Sequence, residues 1–379
     1  MSAVRGLGIV GWGAAGRLMA AAVARTGRFR LAGVADVSDA ARTRAARETG
    51  CTVFTDVAGL AAAQDVDVLY VASPTAHHLS AVRTAAGHGK QVISEKPLAA
   101  TLEDARAAVE AARAAGVVLL VGATHSSDAP VRALRRVAAT GRLGRLLSVS
   151  SVCHTDWHTR PRSPANLDAG LGNGLVLRQG AHQLDILRYV CGGRAEWIFG
   201  MPFGGTGGTE LGFSAQLGFA DGVHASAYYD GTGAFDGRLL TWGVGELATF
   251  DIAPSPVLGK YFALPGRDDA GRVCPMFGAT VATFSGGAAW VTPKGLLLRE
   301  GQHVNEVLVD DEPSGWDAAL AEMDAALDGQ PPAHDGAWGV ATLETCLALY
   351  ESARTGAPVA LRHQVGLPQA LVSSTKENP

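Results

Sequence analysis

The sequence predicts an α/β protein whose first third forms a doubly wound parallel sheet. Short apolar segments alternate with Ala-rich helical segments over about 124 residues, and a glycine-rich turn separates the first apolar segment from the first helical one. Such alternation favours right-handed crossovers between parallel strands. The chain has 379 residues, which is long enough for a second domain after the first.

Six short strands are expected in this first third, with helices between them. Ser38 is expected to cap one helix and Gly50 to end it, and Thr101 and Gly116 are expected to do the same for another helix. Six parallel strands complete a fold of this class. The predicted strands are 6–10, 31–35, 52–54, Val66–Ala72, Gln91–Ser94 and Val117–Val121.

Composition argues against several classes of protein. Hydrophobic residues make up 47% of the chain and charged residues 18%, so a sizeable core can form. The net charge of −4 gives no basic surface for nucleic acid or for an anionic membrane. Five cysteines occur without a C-x-x-C pair, which argues against a disulfide scaffold. No signal peptide or membrane span is expected, so we predict a soluble, cytoplasmic protein.

The turn after the first strand has the pattern G-x-G-x-x-G, made by Gly11, Gly13 and Gly16. The pattern alone is weak in a chain with 48 glycines, but its position between a strand and a helix is that of a Rossmann fingerprint. Gly11 permits the tight turn, Gly13 lets a pyrophosphate approach the backbone, and Gly16 allows close packing of helix on strand. Ala14 and Ala15 would then offer the helix N-terminus to the pyrophosphate.

Asp36 ends the second predicted strand, about 20 residues after the glycine motif. A carboxylate there can accept a hydrogen bond from a ribose 2′-hydroxyl and repels a 2′-phosphate, so NAD is favoured over NADP. Arg42 lies close enough along the chain to keep NADP as an alternative. A domain that has the glycine turn but binds no nucleotide is a further alternative.

Two later segments resemble the Gfo/Idh/MocA oxidoreductase family. Ser73-Pro74-Thr75 with His78 is similar to the loop T-P-N-x-x-H of that family, and 89–99 is similar to its G-K-x-V-x-x-E-K-P stretch. The resemblance covers nearly the whole chain. It implies that Ser73, Pro74, His78 and Glu95 lie at the cofactor.

The resemblance also implies the organisation of the chain. We expect a Rossmann domain over 1–124 and an α/β domain over 125–379, with a large, mostly antiparallel open sheet. In the family the open face of that sheet often makes the oligomer contact, so a homodimer or homotetramer is expected. A last helix near 336–355 is expected to pack back on the sheet, with a frayed tail after 370.

One branch of the family is especially similar, the phthalate 4,5-cis-dihydrodiol dehydrogenases. The resemblance lies in 122–132, in T-D-W…R-P-R over 155–162, and in R-Q-G-A-H-Q-x-D over 178–185. It implies oxidation of a small, carboxylated aromatic cis-dihydrodiol. A sugar or cyclitol dehydrogenase or keto-sugar reductase remains an alternative, and so does a non-catalytic NAD-binding regulator.

Lys96 and His182 are the predicted catalytic residues. Lys96 follows a parallel strand at its C-terminal end, where such sheets bind ligands, and Pro97 after it allows a cis bond. Taken alone, Lys96 reads as a surface lysine and His182 as a buried polar residue. With the resemblance, both are expected to act on the proton of one carbinol beside the nicotinamide.

Arg178 departs from the commoner pattern of the family. The sugar and inositol dehydrogenases usually have Asp at this position, and an arginine cannot accept the hydrogen bond that the Asp accepts. A guanidinium suits a carboxylate instead. Arg178, His182 and Asp185 would share one face if a single helix includes all three, and Asp185 is then also expected to contact the substrate. Arg160 and Arg162 are further candidates for binding an anion, with a solvated loop as the alternative.

Two more residues are assigned to the substrate side. Trp157 could lie against a flat ring or could belong to the core, and His125 is expected to line the cleft. The His and Asp residues of 154–158 match no strong zinc signature, so no metal site is predicted.

Overall fold

The computed structural model describes residues 4–122, 124–160, 173–204, 209–248, 273–309 and 311–369. The chain divides into two units, Met1–Ala123 with Gly315–Leu343, and Thr124–Ser314 with Glu344–Pro379. The division expected from the sequence, at residue 124, did not place Gly315–Leu343 in the first unit.

The sheet of the first unit is parallel throughout its described strands. Its order is β3-β2-β1-β4-β5-β6, the doubly wound arrangement predicted from the sequence. The last strand is shorter than predicted, because the Val117 amide donates to Ala112 O and the Val118 amide to Gln91 Oε1. The strands are β1 Arg5–Val10, β2 Phe29–Ala35, β3 Thr52–Phe54, β4 Val68–Val71, β5 Gln91–Ser94 and β6 Leu119–Val121.

Local capping chemistry fixes the helices between these strands. Ser38 Oγ accepts a hydrogen bond from Ala41 N, and Thr101 Oγ1 accepts one from Asp104 N. Gly50 ends its helix with φ 70°, a left-handed conformation that glycine adopts without strain. The predicted caps are confirmed. The helices are α1 Ala14–Arg25, α2 Asp39–Thr49, α3 Val57–Ala62, α4 His78–Gly87 and α5 Leu102–Ala115.

The second unit contains a mixed sheet, which has nine strands within the described residues. Its order is β14-β13-β12-β11-β7-β10-β9-β8-β15. Neighbours are antiparallel except β7 and β10, so the expected mostly antiparallel sheet is confirmed. The strands are β7 Leu146–His154, β8 Ala195–Phe203, β9 Gly212–Phe219, β10 His224–Asp230, β11 Ala279–Phe284, β12 Gly287–Thr292, β13 Gly295–Glu300, β14 His303–Leu308 and β15 Val359–Ala360.

The two faces of this sheet differ in burial. Helices α6 Ala129–Thr140 and α7 Ala181–Val190 contact one face, where side chains such as Val149 are buried. On the other face Ser148 and Ser150 are exposed, and Val281 is more than a third exposed. This alternation is that of a half-buried sheet. Oligomer formation through the open face stays a prediction.

A π-helical segment, Val176–Gly180, leads directly into α7. Gly180 continues the helix without a break, with helical dihedral angles of φ −59° and ψ −36°. The amide of Val176, at the start of the segment, donates to the buried Glu210 carboxylate at 2.9 Å. A π-helical turn of this kind is frequent at functional sites.

Helix α8, Gly315–Leu327, belongs to the first unit for two reasons. Its Leu320 and Met323 lie in the same buried cluster as Met19 of α1. Its Asp324 also pairs with Arg28 at 2.6 Å. The division between the units falls within the last helix, α9 Gly336–Thr355. No helix among the described residues is both long and apolar enough to span a membrane.

Candidate active site

The three glycines of the G-x-G-x-x-G turn differ in what surrounds them. A Cβ on Gly11, whose φ is 98°, would lie 2.8 Å from Ala72 O, and a Cβ on Gly16 would lie 2.1 Å from Gly11 O. A Cβ on Gly13 would meet nothing within 4 Å. Gly11 and Gly16 are therefore required by the fold, whereas Gly13 keeps space open beside the backbone.

That open space lies at the N-terminus of α1. Gly13 is the N-cap and provides no side-chain hydrogen bond, and the first turn carries no acidic residue. The amides of Ala14 and Ala15 are thus not covered by a capping side chain. An uncapped helix N-terminus beside an open glycine fits a pyrophosphate.

Asp36 is held in place at the end of β2. Its two carboxylate oxygens accept hydrogen bonds from the amides of Trp12, at 2.8 Å, and Ser38, at 2.9 Å. Arg42 donates to the carbonyls of Asp36 and Val37 at 2.8 and 3.0 Å, which ties its guanidinium to the backbone. This arrangement fits the ribose of NAD and disfavours the 2′-phosphate of NADP.

His78 was predicted to lie at the cofactor, but its side chain instead connects two loops of the first unit. It is 1% exposed, its Nδ1 lies 3.0 Å from Pro97 O, and its Nε2 lies 2.9 Å from Ser73 O. Burial lowers the pKa of His78. With both ring nitrogens against backbone carbonyls, His78 positions Ser73, Pro74 and Pro97 rather than contacting a cofactor itself.

Ser73 follows β4 in the first unit. Its Oγ is buried and has no hydrogen-bond partner among the described residues. Buried hydroxyls are normally paired, so an unpaired one fits a site that binds a polar ligand. Together with Asp36 and the glycine turn, Ser73 makes the first unit fit a dinucleotide.

Lys96 follows β5 and is joined to Pro97 by a cis peptide bond. Glu95 Oε2 accepts the Lys96 amide at 3.2 Å. Tyr70 donates its hydroxyl to Glu95 and accepts Trp316 Nε1 at 3.0 Å. Burial raises the pKa of Tyr70, and the Glu95 carboxylate raises it further.

Tyr70 and Trp316 were not predicted as site residues. A tyrosine in the middle of an otherwise aliphatic strand is a local signal, because a buried hydroxyl needs a partner. Trp316 offers no such signal, since it is 246 residues from Tyr70 in the chain.

On the second unit, three rings form a cluster that we name the ring cluster: His125, His182 and Phe277. The His125 and His182 centroids lie 4.8 Å apart in an edge-to-face arrangement, and Phe277 stacks on His125 at 4.7 Å. Asp128 Oδ2 lies 2.7 Å from His125 Nδ1. The structure therefore brings together two of the predicted site residues, His125 and His182. Phe277 was not predicted as part of the site.

The predicted role of Asp185 also differs from what the structure shows. It was predicted to contact substrate, but it is 0% exposed, accepts a hydrogen bond from Ser126 and lies 3.6 Å from Arg188. Burial lowers the pKa of Arg188 to about 10, although Asp185 opposes this. Asp185 thus anchors the turn His125–Ser127 on α7 and fixes His125 beside His182.

The predicted shared face of Arg178, His182 and Asp185 is wrong for Asp185. Arg178 lies in the π-helical segment and is partly exposed, as is His182 in α7, whereas Asp185 is fully buried. Its Nη1 lies 3.3 Å from Asn173 Oδ1. Arg178 and His182 remain on one continuous helical stretch, four residues apart.

Arg160 lines a pocket of about 520 Å³ in the second unit. Its predicted role in binding an anion is not supported by its contacts. Arg160 pairs there with Asp156 at 2.7 Å and with Glu246 at 2.5 Å. Burial alone would lower the pKa of Arg160, but Glu246 and Asp156 outweigh it and raise that pKa. A guanidinium held by two carboxylates is a poor site for an anionic substrate. Phe277 lines this pocket and also belongs to the ring cluster.

Trp157 belongs to the core, one of the two alternatives that its sequence context allowed. It is 1% exposed and contacts His158 edge to face at 4.8 Å. Arg162, the other predicted arginine of this loop, lies outside the described residues.

Two family profiles match the chain. One, described as an oxidoreductase family with an NAD-binding Rossmann fold, matches residues 5–123, and a Gfo/Idh/MocA C-terminal domain matches residues 131–241. A 1,5-anhydro-D-fructose reductase of Ensifer adhaerens is 30% identical over 304 residues, which cover 80% of this chain and 82% of that one. The chain belongs to the Gfo/Idh/MocA oxidoreductase family.

Other proteins are similar over nearly the whole chain. A 1-carboxy-3-chloro-3,4-dihydroxycyclohexa-1,5-diene dehydrogenase of Comamonas testosteroni is 28% identical, covering 92% of this chain and 94% of its own. A solved structure from Bordetella bronchiseptica RB50 is 29% identical with a TM-score of 0.85, covering 94% of this chain and 100% of that one. The WlbA dehydrogenase of Bordetella pertussis, solved with NADH and UDP-GlcNAcA, has a TM-score of 0.74 at 20% identity.

Family membership and the geometry of the first unit agree on the cofactor and the class of reaction. This Gfo/Idh/MocA protein is an NAD-binding oxidoreductase whose relatives are dehydrogenases acting on CH–OH groups. The predicted cofactor and enzyme class are confirmed.

Proposed function

We propose that this enzyme oxidises a carboxylated aromatic cis-dihydrodiol, of the phthalate dihydrodiol type, to the catechol. The observation that carries the proposal is the ring cluster, where two imidazoles lie against the ring of Phe277. Aromatic rings suit the flat diene part of the substrate ring, and two imidazoles suit a reaction that moves more than one proton.

The carboxylate preference rests on Arg178. It stands four residues before His182, where sugar and inositol dehydrogenases of the family usually have Asp. A guanidinium can bind a carboxylate through two parallel hydrogen bonds. The similarity to a dehydrogenase of a carboxylated dihydroxycyclohexadiene, over 92% of this chain, supports the same preference.

Bound NAD supplies the hydride acceptor for the carbinol carbon. Lys96, with the help of His182, takes the proton of the hydroxyl group that is oxidised, and Arg178 holds the carboxylate so that the ring keeps one orientation. The hydroxydienone that results becomes a catechol by enolisation, and the gain of aromaticity favours the product.

A second candidate function is oxidation or reduction of a neutral sugar or cyclitol. The 30% identity to a 1,5-anhydro-D-fructose reductase over 80% of this chain favours it. Inositol 2-dehydrogenase of Rhizobium meliloti is also similar, at 28% identity over 49% of the chain. This candidate predicts no advantage for a carboxylated substrate.

The two candidates are separated by Arg178→Ala, with Arg160→Ala as the matched control. Each variant is assayed for NADH formation from a carboxylated cis-dihydrodiol and from the same diol without its carboxylate. Because a charge-assisted hydrogen bond contributes about 1.5–3 kcal/mol, Arg178→Ala should raise KM about 10- to 100-fold for the carboxylated diol alone.

Arg160→Ala should affect both diols by the same factor, because the Arg160 guanidinium already pairs with Asp156 and Glu246. Equal losses on both diols for Arg178→Ala would refute the carboxylate role of Arg178. Activity of the wild type on neutral polyols, with none on any carboxylated diol, would establish the second candidate.

A further inference from the structure

His125 and the buried Asp128 form a dyad beside His182. The Nδ1 of His125 lies 2.7 Å from Asp128 Oδ2, and the side chains are 15% and 2% exposed. A carboxylate only accepts hydrogen bonds, so Nδ1 carries the proton and Nε2 is left with its lone pair. A carboxylate that fixes the tautomer of an imidazole is the arrangement that makes histidine a general base.

The turn that carries His125 is held firmly from several sides. Asp185 accepts the hydroxyl of Ser126, and Ser127 Oγ donates to Thr124 O at 2.6 Å. Phe277 and His182 then pack against the imidazole of His125. A base held in one orientation transfers protons far better than a mobile one.

The proposed reaction needs one base that removes a proton from oxygen and another that removes a proton from carbon. Oxidation of one carbinol removes its hydroxyl proton. Aromatisation then removes the proton on the neighbouring carbinol carbon, which lies next to the new ketone. A simple secondary alcohol, as in a cyclitol, needs only the first of these transfers.

We propose that His125, oriented by Asp128, catalyses this enolisation as a second activity of the site. The inference rests on the proposed dihydrodiol substrate. The C–H bond breaks and its proton goes to His125 Nε2, while its electron pair forms the new ring double bond. The ketone oxygen takes back a proton from the group that had accepted the hydroxyl proton, so no electrons are gained or lost in this step.

The test is a rapid-quench single turnover with the full chain, NAD and a carboxylated cis-dihydrodiol. NADH is followed by absorbance and the catechol by chromatography, in the wild type and in His125→Gln. His303→Gln is the matched control, because His303 is an exposed histidine on β14. A positioned general base contributes about 100-fold or more, so in His125→Gln catechol formation should fall about 100-fold further than NADH formation.

The hydroxydienone should accumulate in His125→Gln but not in the wild type or in His303→Gln. Asp128→Asn should slow catechol formation less, because the amide oxygen can still accept the hydrogen bond from Nδ1–H but does not stabilise an imidazolium. This variant also serves as the test if His125→Gln does not fold.

Catechol that keeps pace with NADH in both variants would overturn the assignment of His125 while leaving the proposed substrate intact. NADH formation that falls as far as catechol formation would also overturn it, since His125 would then act before enolisation. A wild type that forms no NADH from the diol would instead refute the proposed function.

Discussion

The two units differ in the groups that form their sites, which are backbone groups in one and side chains in the other. In the first unit the cofactor side is mostly backbone: a turn of Gly11, Gly13 and Gly16 and the N-terminus of α1. In the second unit the ring cluster is made of side chains from segments far apart in the chain, His125 and Phe277 among them. A backbone site is encoded in a short motif, whereas a side-chain site depends on distant pairs.

The largest effect should come from Asp185→Asn, which tests whether a buried ion pair stabilises the part of the second unit that carries the ring cluster. Removing one charge of a buried pair leaves the other uncompensated, at a cost of about 3–5 kcal/mol. Because Asp185 and Arg188 are both 0% exposed, we expect the free energy of unfolding to fall by that amount in urea denaturation. A loss below about 1 kcal/mol, the range of exposed pairs, would contradict the anchoring role of Asp185.

The next effect concerns the backbone site, through Gly13→Ala. The new methyl group meets no protein atom within 4 Å, so the melting temperature should stay near that of the wild type. It would occupy ligand space, and overpacking costs about 1–3 kcal/mol, so NAD affinity should weaken about 10- to 100-fold. Gly27→Ala is the control, because its methyl group also meets nothing within 4 Å.

NAD affinity, measured by calorimetry, that is unchanged in Gly13→Ala would remove Gly13 from the cofactor site. Gly16→Ala should behave in the opposite way. Its methyl group would lie 2.1 Å from Gly11 O, so it should lower stability as well as NAD affinity.

The smallest of these effects should come from Tyr70→Phe, which tests the side chains that support Lys96. The change removes the hydroxyl that donates to Glu95 and accepts from Trp316. One hydrogen bond contributes about 1 kcal/mol, so kcat should fall about 5- to 10-fold. NAD affinity should hardly change, since Tyr70 positions Glu95 and does not itself contact the cofactor. Equal losses in kcat and NAD affinity would indicate a packing role instead.

The sequence predicted the first unit well because its signals are local. The six strands, the helix caps Ser38 and Thr101, and the glycine turn all depend on residues within one helical turn or one strand of each other. NAD could be predicted for the same reason, since Asp36 and the glycine motif lie in one βαβ unit.

The errors at Arg160, Asp185 and helix α8 share a physical cause, which is pairing between residues far apart in the chain. Arg160 pairs with Glu246, 86 residues away, and Asp185 binds Ser126, 59 residues away. Helix α8 joins the first unit through pairs such as Arg28 with Asp324, 296 residues apart. No local sequence pattern shows whether an arginine will pair with a carboxylate of its own chain or with one of a ligand.

The substrate preference of the wild type tests the central claim most directly. NADH formation is measured with NAD and either a carboxylated cyclohexadiene cis-diol or a neutral cyclitol, each over a range of concentrations. From the guanidinium of Arg178 and the ring cluster, we expect kcat/KM to favour the carboxylated diol by about 100-fold or more. A preference for the cyclitol, or equal values for both, would contradict the account.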